Sequence, residues 1–426
     1  MEDSFTLAVT GQSLIKHDIR TVRDAAFAEV QTLLRAADLS FTNFEGTIMG
    51  RHGGWPLKGA YFGCSDPGVL DCLQDVGFQA LSLSNNHAFD LGPSGILSTL
   101  EEVDARGFLH AGIGHSLTDV SYPRVKRFAH RQVGMVAMDG GPGPDFMYAA
   151  NALGDRPERP GVNRLKLSQV IDVDEQAHEQ IRMIREKVGY TKIDLTNDSQ
   201  PDDPPILCEQ ELGLGRAIFR RSDHFGKSVR IDAADLARNL RSIEEASSAG
   251  SLVIAYLHHH HWASDWYQVP DWVSGVAKSC IDAGAVMFVS HGAPVLQPIE
   301  IYNGRPIFYS LGNFIFHVRS ENSNWTAPEV WESVIATCSF SAGGDITGID
   351  LHPIVIGGEA ALADPMLENR LVPHMVDGIA AERILRRLAK RSERLGVQID
   401  IGDGVARIDL VRETAADRVR SSARSG

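Results

Sequence analysis

Along most of this chain, short apolar runs alternate with stretches of helical periodicity, and that alternation limits the possible folds more than any other feature. Four to eight apolar residues bounded by Gly, Pro or Asn read as a buried strand, and apolar residues three and four apart over ten or more positions read as an amphipathic helix. The spacing predicts strands over Thr6–Thr10, Leu39–Phe44, Ala80–Leu83, Val133–Met138, Leu252–Leu257, Val286–Val289, Ile307–Ser310 and Ala336–Phe340. It predicts helices over Thr21–Ala36, Pro67–Val76, Pro93–Arg106, Glu175–Val188, Ala233–Ala246 and Val273–Ala283. Pro67 and Pro93 suit a first helical turn, where the missing N–H has no intrahelical partner to lose. Strands and helices alternating in this way make an α/β fold.

From Gly140 to about Ser222 the rhythm breaks into GGPGP, RPERPG and DLTNDSQPDDPP. Pro, Gly and Asp at that density mean loops, here with one helix between them. The segment reads as an insertion over the functional face, and Asn197–Pro205 within it suits a disordered linker. The expected organisation is one large domain over residues 1–411, an insertion at about 140–222, and a frayed, arginine-rich tail over 412–426. No internal repeat is visible.

Composition narrows the function classes. With 43% hydrophobic and 23% charged residues, 426 residues can bury a large core. No run approaches the ~18 apolar residues that span a bilayer. Met1–Thr10 carries Glu2 and Asp3 and lacks the basic start and long apolar stretch of a secretion signal. A cytoplasmic chain with no membrane partner is therefore expected. A formal net charge of −14 argues against nucleic acid as partner, while leaving room for a local basic pocket and a small anionic substrate. Cys64, Cys72, Cys208, Cys280 and Cys338 are dispersed with no CxxC pair, which reads as reduced thiols.

Metal-compatible and hydrogen-bonding residues recur at one kind of position. Gly11–Gln12 follows the first strand, Glu45 the second, Asn85, Asn86 and His87 the third, His258–His261 the run LVIAYL, and His291 the run VMFVS. In open α/β sheets, ligands gather beyond the carboxyl ends of strands. Taken singly, each has a plain structural reading: Glu45 as a loop acid, Asn85 and Asp90 as cap and turn residues, and His291 as a satisfied core histidine. Their co-occurrence favours a shared site. Residues two apart on an extended segment face the same way, so His258 and His260 can share that site while His259 and His261 point elsewhere.

The runs LSFTNFEGTI, ALSLSNNHAFDLGPSGILSTLE, VIAYLHHHHW and DAGAVMFVSHGAPVLQPIEIYNGRPIFYSLGNFIF, in that order, resemble the CapA family of poly-gamma-glutamate synthesis proteins, itself similar to calcineurin-like metallophosphoesterases. PGVNRLKL inside the insertion also resembles a family segment. The resemblance reaches from the N-terminus to about Phe316 and implies a calcineurin-like four-layer α-β-β-α sandwich. It also exposes two departures. The family's Gly-Asp after the first strand is Gly11–Gln12 here, and its Gly-His-His-Pro-His-type segment is Ser290, His291, Gly292, Ala293 and Pro294. In the family's two-metal arrangement both altered positions belong to one metal. The ligands of the other carry over as Glu45, Asn86, His258 and His291, and His87 matches the family's non-ligand histidine beside the metal.

The resemblance thus implies one divalent ion, Mn, Fe or Zn, held by Glu45, Asn86, His258 and His291, ligand types that do not discriminate strongly among these metals. His87 is the expected acid or charge stabiliser, with Gln12 and His260 as substrate contacts or replacement ligands. The leading expectation is a mononuclear metal-dependent hydrolase of an amide-like or ester bond in a small polar substrate. A lyase would require the same ligands. The alternatives are a metallophosphoesterase and a non-catalytic component of polyglutamate or envelope metabolism.

Overall fold

In the computed structural model, which describes residues 4–59, 63–198, 207–215, 217–318, 325–363 and 366–410, parity along the strands decides which layer each side chain enters. Strand Arg131–Asp139 sends Val133, Met135 and Ala137 to one face and Val136 and Met138 to the other. Successive strand residues point to opposite sides, so a strand apolar on both faces must be covered on both. This strand belongs to a six-stranded sheet with the order Ile299–Tyr302, Arg305–Phe308, Ala285–His291, Leu252–His258, Arg131–Asp139, Arg124–Phe128. Its four inner strands run parallel, and an antiparallel strand closes each edge.

The second sheet has nine strands. Phe5–Val9, Leu39–Asn43, Ala80–Ser82 and Leu109–Ala111 are parallel neighbours. Glu332–Phe340 adds antiparallel to the free side of Phe5–Val9, followed by Ile346–Ile356, Val405–Asp409 and Asp400–Gly402, with Pro373–Met375 also pairing Ile346–Ile356. The register pairs Val9 with Ala336.

Three apolar layers result. Leu7, Phe41 and Val334 of the large sheet meet Met135, Tyr256 and Val289 of the small one. Across this interface Phe41 packs edge-on against Tyr256, ring centroids 5.8 Å apart, a contact worth about 0.5–1.5 kcal/mol beyond area burial. The outer face of the large sheet is covered by helices Ala25–Ala36, Gly68–Val76 and Gly92–Ala105 through Phe27, Leu73 and Ile96. The outer face of the small sheet is covered by Ala233–Ser248 and Asp271–Asp282 through Ile243 and Val276. The layers are therefore α-β-β-α, as the sequence resemblance implies. No described helix is long and apolar enough to cross a membrane.

All eight strands and six helices expected from sequence form, with shifted ends. The first helix begins at Ala25 rather than Thr21 because the Asp24 carboxylate accepts the Phe27 N–H at 2.9 Å and fixes the start there. The region 140–222 is not only loops around one helix. Leu167–Val173, Glu211–Leu214, Ala217–Arg221 and the following Gly226–Ile231 form a four-stranded sheet. These strands are largely half-buried and carry alternating polar residues, so they lack the apolar signature that marks the central strands. Of the Asn197–Pro205 stretch, residues from 199 onward lie outside the described residues, as does the tail 412–426. The long amphipathic helix Gly378–Glu393 was not anticipated. It buries Ile384, Leu385 and Leu388 at the rim of the inter-sheet core. Its Arg383 and Arg387 close on the buried Glu332 carboxylate.

Candidate metal centre

The parity that builds the inter-sheet core continues past its end. Asp139 follows Val133, Met135 and Ala137; His258 follows Ile254 and Tyr256; His291 follows Met287 and Val289. The three are register partners on adjacent parallel strands, Asp139 beside His258 and His258 beside His291. They make one buried row at the carboxyl edge of the small sheet, facing the large one.

The large sheet supplies the opposite wall. Asn43 ends its strand, and Glu45, two residues on, is held by its N–H donating to Ser13 O at 3.0 Å. Glu45 Oε1 lies 3.9 Å from His258 Nε2. After strand Ala80–Ser82 the chain turns, and Asn86 Oδ1 reaches to 3.0 Å of His258 Nε2. One ligand atom each from Glu45, His258 and His260 lie within 4.8 Å of one another, the one such group of His, Cys, Asp or Glu among the described residues. The His260 N–H donates to Gly141 O at 2.7 Å, which turns the chain at the strand end. The His258 and His260 rings lie tilted against each other with centroids 5.0 Å apart, while His259 and His261 turn to Trp272 at 4.8 and 6.5 Å.

His87 sits beside this group. Its Nδ1 lies 2.6 Å from Asp90 Oδ2, which also accepts the Gly63 N–H at 2.7 Å. The second Asp90 oxygen lies 3.1 Å from Lys58 Nζ, and that ammonium also donates to Asn86 O. A carboxylate on Nδ1 puts the proton there and leaves His87 Nε2 as the exchangeable nitrogen.

Gln12 is oriented by its neighbour. Asn313 Nδ2 donates to Val330 O at 2.9 Å and Pro294 O at 3.4 Å, so its Oδ1 is the acceptor and takes Gln12 Nε2 at 3.0 Å. Gln12 Oε1 is consequently left buried with no donor. His291 is in a similar state, with Nδ1 3.3 Å from Tyr256 OH and Nε2 buried without a partner. Gly292 holds φ +122°, and a Cβ there would lie 1.8 Å from His259 O, so only glycine lets the two strand-end loops pass.

These groups fit a divalent cation on their own chemistry. Glu45 Oε2 is also buried without a hydrogen-bond partner, and such an orphan is costly unless a ligand satisfies it. Burial, followed by the charges of neighbouring histidines, holds His258 well below its ordinary pKa; burial likewise takes His260 and His291 down to about 3. All three imidazoles are therefore neutral and keep a lone pair for a cation. Burial pushes the Glu45 carboxyl up, only partly offset by His87 and Lys58, so its carboxylate lacks a full counter-charge. Two ligands about 2.1 Å from one cation at a right angle stand about 3 Å apart, the spacing between Asn86 Oδ1 and His258 Nε2.

Of the residues expected from sequence, the structure brings together Glu45, Asn86, His258 and His260, with His87 alongside. His291 lies one strand beyond His258 and outside the close group, and Gln12 lies with Asn313 across from it. Sequence reasoning missed Asp139, Lys58 and Asn313. Asp139 was visible as the next odd-numbered residue after Ala137. Its Oδ2 accepts Tyr148 OH at 3.0 Å and the Gly141 N–H at 3.1 Å, its Oδ1 is buried without a partner, and burial raises it to about 7. Lys58 lies in a Gly- and Pro-rich loop with no periodic signal.

Comparison with known proteins adds a family. The family model described as "Bacterial capsule synthesis protein PGA_cap" matches residues 6–318. Uncharacterized protein y4sH of Sinorhizobium fredii is 29% identical over 451 aligned positions, which cover 96% of this chain and 94% of that one. PGA biosynthesis protein CapA of Bacillus subtilis is 24% identical over 378 positions, covering 87% of this chain and 72% of that one. A Staphylococcus aureus structure assigned as a 5'-nucleotidase, solved with alpha-ketoglutarate, is 10% identical and aligns with a TM-score of 0.37 over 81% of this chain and 52% of its own.

Proposed function

The chain belongs to the bacterial capsule synthesis protein family, and on that premise we propose that it is a metal-dependent hydrolase that cleaves an amide-like or ester bond of a small polar substrate. The observation that carries this reading is the convergence of Glu45, His258 and His260 ligand atoms within 4.8 Å, from segments more than two hundred residues apart. A purely structural role gives no reason to bury an acceptor-rich cluster with orphaned lone pairs.

Glu45, His258 and His260 hold the cation, with Asn86 as a further oxygen ligand. When bound, a divalent ion supplies Lewis-acid polarisation of a carbonyl and lowers the pKa of water toward about 7. The chain's residues do the rest. Asp90 fixes the His87 ring through Nδ1, so that His87 Nε2 can give a proton to a leaving amine or alcohol and take one back from solvent. Lys58 neutralises Asp90 from the other side and keeps that carboxylate from drawing the His87 proton away. The aromatic series Trp262 and Trp266 continues outward from the His260 ring at 4.9 and then 5.9 Å and flanks one side of the group. Amide or ester cleavage is favoured because one cation can polarise a carbonyl alone, whereas phosphoryl transfer commonly uses two.

Elemental analysis of the purified protein and a panel of amides, esters and phosphoesters test the reading. The expected result is about one divalent ion per chain and turnover confined to amides or esters. A protein without a bound cation and without turnover in the panel would sink it. A metallophosphoesterase is the second reading, favoured by Gln12 Oε1 and His291 Nε2, two further buried acceptors with no partner. Two equivalents of metal with phosphoester turnover would replace the first reading with the second.

A further inference from the structure

We infer that Trp262 and Trp266 form a stacking subsite beside the metal centre, and that it receives an aromatic ring carried on one side of the scissile bond. This deepens the hydrolase reading and rests on it for the position of that bond.

The indoles are tied to the centre by direct contact. The Trp262 ring lies 4.9 Å from that of His260, one of the three convergent ligands, with the two planes 31° apart. Trp266 follows at 5.9 Å with its plane turned by 78°, and Trp325 stacks on Trp266 at 5.8 Å and 19°. A ring set against Trp262 is therefore one side chain away from a cation ligand. Trp262 keeps 36% of its surface exposed, and Trp266 and Trp325 are only half-buried. Indoles carry a large apolar surface that burial normally removes from water. A row of them leading out of an acceptor-lined centre marks a surface that a ligand covers.

The row is also held in place. The segment 262–268 joins strand Leu252–His258 to helix Asp271–Asp282, and its backbone is fastened from outside. Gln297, itself buried, donates Nε2 to Trp266 O at 2.8 Å and to Gln268 O at 3.1 Å. Arg391 donates to the adjacent Leu296 O at 2.5 Å and lays its guanidinium 4.3 Å from the centre of the Tyr267 ring. Trp331 Nε1 donates to Trp325 O at 2.9 Å and steadies the outer end. Aromatic groups fixed before binding lower the ordering cost that binding must meet.

The chemistry of the row selects the class of ligand. The nearly perpendicular planes of Trp262 and Trp266 offer a third ring both a face and an edge, the arrangements that aromatic rings favour over a face-to-face sandwich. An alkyl chain would gain burial alone. A sugar can lie on an indole face, but its hydroxyls call for hydrogen-bonding groups around the ring. Here Asp265 Oδ1 accepts the Tyr267 and Gln268 N–H groups at 2.8 and 3.0 Å, and Ser264 Oγ donates to Gln268 Oε1 at 3.3 Å. The segment's polar side chains are largely spent on the segment itself, which suits an uncharged aromatic ring. The substrate is then polar at the scissile bond and flat at one end.

Ligand-observed NMR titration of the full, metal-loaded chain tests this with N-benzylacetamide, its saturated counterpart N-(cyclohexylmethyl)acetamide, ring-free N-methylacetamide, and N-acetylglucosamine as probes. N-benzylacetamide is expected to bind about tenfold or more tightly than N-methylacetamide, and at least about twofold more tightly than the cyclohexyl probe. Trp262→Ala should weaken N-benzylacetamide about tenfold, Trp266→Leu should act in the same direction, and Trp262→Phe should keep most of the affinity. Melting temperature and metal content are read on the same samples, and the exposed position of Trp262 makes its variants the ones expected to match the parent in both. N-benzylacetamide binding at parent strength in Trp262→Ala overturns the subsite, as does a parent with no preference for the benzyl probe over N-methylacetamide. N-acetylglucosamine binding that depends on Trp262 while N-benzylacetamide binding does not overturns the aromatic assignment in favour of a sugar. Failure of the hydrolase reading looks different: the parent turns nothing over, or holds no cation, whatever the indoles do to the benzyl probe.

Discussion

The two halves of the centre are built from the same residue types and end in different states. On the Asn86 side, Glu45, His258 and His260 come within 4.8 Å of one another, and His258 is already touched by Asn86. On the Gln12 side, Gln12 is locked to Asn313 and His291 leans on Tyr256, and their remaining acceptors face no donor. Both halves lie at strand ends and both are buried. Beyond the convergence on the Asn86 side, charge separates them. The first half owns the Glu45 carboxylate, and the second offers only the neutral Gln12 amide and the neutral His291 imidazole. A dication must be stripped of water to enter a buried site, and neutral ligands repay less of that cost than a carboxylate.

The largest expected effect lies in the charged half. Glu45→Gln or His258→Ala should lower divalent-metal affinity by at least about a hundredfold, more than loss of an outer partner usually costs, as read by elemental analysis after dialysis. Parent metal content in either variant would move the centre elsewhere. His87→Ala comes next. It should keep the cation and lose turnover by about 10²–10⁴-fold, and a stripped metal would recast His87 as a ligand. The neutral half is then converted: Gln12→Asp with Pro294→His should raise metal content from about one toward two per chain. Because Asn313 Oδ1 faces residue 12, the new carboxylate gains room only if Asn313 turns, and a folded double variant with no extra metal would show that the two halves differ in shape as well as charge.

The smallest effect is a control on a carboxylate that already has its partner. The Arg220 guanidinium, 2.7 Å away, holds Asp172 below the usual carboxylate range. Its folded pKa is depressed, so its contribution to stability is present above the unfolded value of about 3.9 and is lost as pH falls through the folded one. Arg220→Met should therefore lower the melting temperature slightly at pH 7, and the gap to the parent should narrow as pH falls below about 3.9. A gap that stays constant as the solution is acidified would detach the effect from ionisation.

The central strands were legible because they are apolar on both faces, a pattern that few other structures produce. Leu252–His258 could be read to within one residue, Ala285–His291 only over its middle four, Val286–Val289, and the histidines that end both strands stood out as polar groups. What was not legible depends on pairing across long separations. His260 and His291 both follow strands, and no spacing rule tells which of them meets Glu45. That choice is made where the chain turns, by the His260 N–H finding Gly141 O. Asp139 was hidden by the glycines after it, which draw the eye to a loop although the strand still runs. Lys58 and Asn313 act through partners some thirty and three hundred residues away. The insertion's sheet escaped notice because its strands are half-solvated and polar, as exposed β-structure commonly is.

The place of strand Glu332–Phe340 has a consequence for how the molecule is made. It is the lateral neighbour of Phe5–Val9, a strand made more than three hundred residues earlier, and Val9 waits for Ala336. Until Glu332–Phe340 has been synthesised, Phe5–Val9 can pair on one side only, against Leu39–Asn43, and its other edge stays open as a template for any passing strand. At roughly 5–20 residues per second of synthesis, that exposure lasts about fifteen seconds to a minute. The family match stops at residue 318, so a chain ended there would carry every ligand of the centre and never close that edge. Such a product is expected to accumulate as aggregate, with its metal ligands intact in sequence and never assembled in space.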